Sequence, residues 1–73
     1  MINPGDIFYP NKECRSILVM AVSEPYVDQY AWALIDVVVL AGSDGAALVG
    51  ALVQVGYNPK SNLVISRGCW EDE

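Results

Sequence analysis

A chain of 73 residues, 53% of them hydrophobic, holds one domain with one core. Nine acidic residues against four basic ones give a net charge of −5, which argues against phosphate-backbone binding because that needs a basic stripe. Histidine is absent, so neither a serine nor a cysteine has its usual general base. A domain near this size buries only about 60% of its unfolded-chain surface. Apolar surface is therefore left over for a partner or for self-association.

Asn3-Pro4-Gly5-Asp6 reads as a turn, because proline presets φ and glycine admits positive φ. Ile7-Phe8-Tyr9 is a short strand ended by Pro10, and Asn11-Lys12-Glu13 is an exposed loop. Cys14 to Ser23 is the second strand. Ile17, Val19 and Ala21 share one face, and Leu18, Met20 and Val22 share the other. Glu24-Pro25 breaks it, and Tyr26 to Gln29 carries the chain into its central stretch.

That stretch, Tyr30 to Tyr57, carries only Asp36 and Asp44 as charges and turns at Gly42-Ser43-Asp44-Gly45. Ile35, Val37, Val38 and Val39 form a β-branched cluster, favoured on a pleated surface and disfavoured in a helix. The odd positions Ala31, Ala33, Ile35, Val37, Val39 and Ala41 are the expected core stripe. The second arm, Ala46 to Tyr57, would be apolar all round as a helix, and a chain this short cannot surround such a helix. It reads as a strand whose odd positions, Ala47, Val49, Ala51, Val53, Val55 and Tyr57, continue the core. Two arms of about twelve residues each would span ~40 Å. Arms of that length must coil and close a small barrel. Asn58 to Asn62 is a turn-rich connector, Leu63 to Arg67 the closing strand, and Glu71-Asp72-Glu73 an acidic tail.

The expectation is an all-β domain of five strands, with an α+β domain helical over 44–55 as the alternative. A Pro4-Gly5-Asp6-Ile7 turn feeding the first strand, and a helical-turn-like connector before a short last strand, resemble the SH3-like small barrels. That resemblance implies a five-stranded barrel. It leaves function open, since such barrels serve peptide binding, nucleic-acid binding and many small phage and mobile-element proteins.

The residues offer no catalytic set. Gly42, Gly45 and Gly50 fit neither G-x-G-x-x-G nor a P-loop and serve as turn residues. Cys14 and Cys69 form no CxxC pair and have no histidine with which to complete a metal site. No cofactor is expected. The start of the chain lacks a basic, apolar secretory signal, and the longest uncharged run, Gly45 to Pro59, falls short of the ~18–20 residues of a membrane span. A cytoplasmic protein with free thiols follows, a disulfide joining Cys14 and Cys69 being the alternative.

What remains is binding. Tyr30, Trp32 and Leu34 alternate onto one face, the outer one if the odd positions are core, and Trp32 is either an interface anchor or a core residue. Tyr and Trp are the side chains that anchor interfaces. Their neighbours Glu24, Asp28 and Asp36 are acidic, with Asp36 expected exposed on the outer face, while Lys12, Arg15, Lys60 and Arg67 are scattered. Tyr26, Asp28, Tyr30, Trp32 and Asp36 are thus the expected protein-binding residues, for a partner with a basic surface. A phage or mobile-element inhibitor of a host nucleic-acid-handling or defence protein, in the manner of an anti-CRISPR, is a concrete form. A self-assembling subunit joined through exposed strand edges is the competing class. Direct nucleic-acid binding ranks below both.

Overall fold

The computed structural model describes residues 1–42 and 49–68, and among them the chain forms six strands and no helix. β1 (Ile7–Tyr9), β2 (Ile17–Ala21), β3 (Tyr26–Val27), β4 (Ala33–Gly42), β5 (Leu52–Gly56) and β6 (Leu63–Ser66) belong to one antiparallel sheet. β4 is its spine. It pairs with β5 along one edge and with β3 and β2 in succession along the other; β1 lies beyond β2, and β6 returns to the far side of β1. The all-β class is as expected, but the strand count is six and the sheet is open, with β5 and β6 unpaired to each other among the described residues.

The β-branched run accounts for the spine. Ile35, Val37 and Val39 are all but fully buried, and cross-strand pairs extend their stripe: Val37 to Ala21, Val39 to Val19, and Val19 to Phe8. Ile2 completes the buried cluster, and Ile17, Val55, Tyr57 and Val64 pack against it. The core stripe is shorter than the alternation suggested. Ala31, Ala33 and Ala41 are exposed, because they lie in a turn or at the ends of β4. Between Leu18 and Val19 the β2–β4 register slips, so that Leu40 has no opposite residue. A bulge of this kind bends a long strand and increases its twist, which curves the sheet over its core without closing it.

Two turns follow their chemistry. Asp6 N–H donates to Asn3 O at 3.0 Å with Gly5 at φ 93, a turn with proline then glycine at its centre. In the connector, Ser61 and Asn62 N–H both donate to Asn58 O, at 2.9 and 2.8 Å, giving the helical turn expected before β6.

The second arm departs from its expectation. Val49 and Gly50 form a turn, with Gly50 at φ 90, and the strand runs only from Leu52 to Gly56. Val49 and Val53 are exposed rather than core. A strand at 52–56 also removes that part of the helical alternative; residues 43–48, including the Ser43-Asp44-Gly45 turn, lie outside the described residues, as does Cys69. Cys14 carries an exposed thiol. Among the described residues no helix is long and apolar enough to cross a membrane.

At the chain ends Asp6 acts as a clasp. It is 2% exposed, and its Oδ2 accepts from Asn3 N–H at 3.0 Å and from Arg67 at 2.8 Å, while Oδ1 accepts from Gly68 N–H at 2.8 Å. Burial pushes its pKa up, but the two backbone donors and the Arg67 guanidinium outweigh that and hold it below 3.8.

Candidate protein-binding site

β3 and β4 form a tight hairpin that the sequence did not announce. Tyr26 faces Leu34 and Val27 faces Ala33. The next pair, Asp28 and Trp32, closes through Asp28 N–H to Trp32 O at 3.0 Å. Gln29, Tyr30 and Ala31 make the loop, with Ala31 N–H donating to Asp28 O at 3.0 Å and Ala31 itself at φ 66. This is the three-residue hairpin loop of a type I turn followed by a left-handed residue. The left-handed position usually holds glycine; alanine there costs roughly 1–2 kcal/mol.

Asp28 stabilises the loop a second way. Its Oδ1 accepts from the N–H groups of Tyr30 and Trp32, both at 2.9 Å. Aspartate suits this place because its short carboxylate reaches the backbone two residues on. The turn is therefore held by main-chain and carboxylate bonds, with no help from its aromatic rings. Those rings face solvent: Tyr30 is 72% and Trp32 67% exposed, and Val27 beside them is 66% exposed. Trp32 is not core. Strand pairing sets it on the same face as Tyr26 and Leu34, whereas Tyr30 sits at the loop tip and not in the strand alternation that the sequence suggested.

Behind the turn lies a second group. Gln54 Nε2 donates to Tyr26 Oη at 2.6 Å, and Tyr26 O–H donates to Asp36 Oδ1 at 2.6 Å. Asp36 N–H donates to Ser23 Oγ at 3.1 Å. Asp36 is thus half-buried and ends a polar chain that spans β5, β3 and β4, and the expectation of a plainly exposed carboxylate is corrected. Its hydrogen-bond partners are Tyr26 on β3 and Ser23 in the link between β2 and β3, and Gln54 on β5 reaches it only through Tyr26. The bond to Asp36 holds the Tyr26 phenol proton and, with partial desolvation, pushes its pKa above 10.0, against a smaller opposing effect of Gln54.

The five expected residues accordingly fall into two sets. Asp28, Tyr30 and Trp32 belong to the turn; Tyr26 and Asp36 form the polar chain beside it. Sequence reading missed Ala31, Gln54 and Val27. Only Asp28 carried a usable signal for the turn, as an aspartate in the first position of a type I turn.

Among the described residues no three His, Cys, Asp or Glu side chains gather as a metal site requires. Comparisons with protein-family models, with curated proteins and with solved structures find no match to this chain.

Proposed function

We propose that this chain is a protein-binding module, acting by stoichiometric association through the 28–32 turn. One observation carries the reading: two large aromatics stand mostly exposed on a loop fixed from below by Asp28. Exposing Tyr and Trp wastes burial in so small a domain, and holding them in place lowers the ordering cost of binding. Both are residue types that dominate interface energetics. Backbone strain at Ala31, between the two aromatics, fits a site where geometry matters more than stability.

The sequence about the turn is acidic, with Glu24, Asp28 and Asp36, which suits a partner with a basic surface. Proteins that handle nucleic acid have such surfaces. A phage or mobile-element inhibitor of a nucleic-acid-handling or defence protein is the form of this function we favour. An SH3-like resemblance of the fold is part of the proposal, supported by the Pro4-Gly5 turn into β1 and by the helical turn that leads into β6. Capture of proteins from the native host on immobilised chain, compared with folded Trp32→Ala, tests the function. A defined stoichiometric partner lost with the Trp32 ring supports it; equal capture by both sinks it.

A further inference from the structure

β5 is an edge strand. β4 pairs with one side of it, and among the described residues no strand pairs with the other. Hydrogen bonds from Val39 N–H to Ala51 O (3.0 Å) and from Tyr57 N–H to Ala33 O (2.9 Å) mark the odd positions as those turned toward β4. The N–H and C=O groups of Leu52, Gln54 and Gly56 therefore point outward. Gly56 O takes a long side-chain bond from Asn62 Nδ2 at 3.4 Å and keeps a second lone pair. The strand reads Leu-Val-Gln-Val-Gly, with no charge, proline or register slip. These are the devices that ordinarily keep an edge from pairing, and β5 has none of them. Leu52 on its outer face is 68% exposed and Val53 on its inner face 37%, while Val55 packs against the core.

We propose that β5 pairs with β5 of a second copy of this chain, antiparallel about a two-fold axis at Gln54. The strand is self-complementary in this register. Leu52 falls opposite Gly56 of the partner subunit, and Val53 opposite Val55 of the partner subunit. The first pair sets a large side chain beside a residue with none; a Cβ built at Gly56 meets nothing within 4 Å. The second is a β-branched pair of the kind that stabilises a sheet. All outward main-chain groups of Leu52, Gln54 and Gly56 gain partners. The Gln54 side chain is already drawn away from the axis by its bond to Tyr26 Oη.

Charge favours this edge for a like-with-like contact. Each chain carries −5, yet β5 carries nothing, and its nearest cross-strand acid, Asp36 on β4, would lie three strand spacings from its counterpart. At ~4.8 Å per spacing that is about 14 Å, beyond the ~8 Å screening length near physiological salt. The 28–32 turn grows from the opposite edge of β4, so the dimer stands independently of the partner-binding reading.

Sedimentation of the purified full chain across a concentration series, with amide hydrogen exchange, tests the proposal. The wild type is expected to form a dimer in which the Leu52 and Gln54 amides exchange slowly. Gly56→Lys has room in the monomer and places a charge against Leu52 of the partner subunit. It is expected to keep its circular dichroism spectrum, sediment as a monomer and return those two amides to fast exchange. Should it fail to fold, Leu52→Lys at an exposed position gives the same reading. A wild type monomeric throughout, a dimer unchanged by these substitutions, or a dimer with Leu52 and Gln54 amides in fast exchange would overturn the pairing.

Discussion

Asp28 grips Trp32 twice: its backbone N–H donates to Trp32 O at 3.0 Å, and its carboxylate accepts the Trp32 N–H at 2.9 Å. Both bonds use the tryptophan backbone and leave the indole ring free. Removing the ring should therefore leave the turn standing, whereas removing the carboxylate should loosen it. We expect Trp32→Ala to change folding stability by no more than about 0.5 kcal/mol, as for a surface substitution. Asp28→Ala should cost about 1 kcal/mol, the typical net worth of a hydrogen bond. Urea midpoints of the two variants check the order, and a Trp32→Ala loss of the ~3–5 kcal/mol typical of core truncation would contradict the exposed placement.

Ala31 stores strain that a different residue would relieve. In Ala31→Asn the left-handed conformation is better tolerated, and we expect a gain of up to about 1 kcal/mol from the ~1–2 kcal/mol that L-residues forfeit there. Thermal unfolding decides it. A drop in stability would mean that the loop does not use a left-handed residue at this position.

Asp6 should make the domain sensitive to acid. Its folded pKa is depressed, so its contribution is complete above the unfolded value near 3.8 and is lost as pH falls through the lower folded value. Asp6→Ala leaves the Asn3 and Gly68 N–H groups without their acceptor and should cost about 2 kcal/mol at neutral pH. Stability measured by urea unfolding from pH 2 upward should rise steeply for the wild type through this window and less steeply for the variant.

Tyr26 carries the opposite sign. Its folded pKa is raised, so the stabilisation from its protonated hydroxyl is present below pH 10.0 and declines as pH rises through the folded value. In a spectrophotometric titration one tyrosine should ionise above the ordinary phenol range. Tyr26→Phe should remove that component, and Asp36→Asn should move it back down. If neither variant alters the titration, the Tyr26–Asp36 bond is not formed in solution.

The spine of this fold was legible because Ile35, Val37 and Val39 alternate inside a β-branched run, and period-two burial leaves few other choices. The Pro4-Gly5 turn was legible for the same kind of reason, since each residue dictates its own φ. The β3–β4 hairpin was hidden because Ala31 occupies the position where glycine would have signalled a turn. Its concealment made Tyr30 look like a strand residue. The second arm was overextended because Val49 and Ala51 are as apolar as a strand requires, and apolarity does not show that Gly50 adopts positive φ between them. Barrel closure was inferred from two arms of equal length, and the shorter β5 removes that inference. Tyr26, Asp36 and Gln54 meet from three strands, a convergence that only pairing register reveals.

The most direct test of the proposed function is the affinity of a host-derived partner for the wild type and for Trp32→Ala, measured by titration calorimetry at two salt concentrations. The account predicts a one-to-one stoichiometry per chain and a loss of ~2 kcal/mol or more when the indole is removed, the scale of an interface hot spot. It also predicts weaker binding at higher salt, since the acidic residues in the sequence about the turn act through screened charge. A folded Trp32→Ala that binds the same partner with unchanged affinity would contradict it and move the binding surface away from the turn.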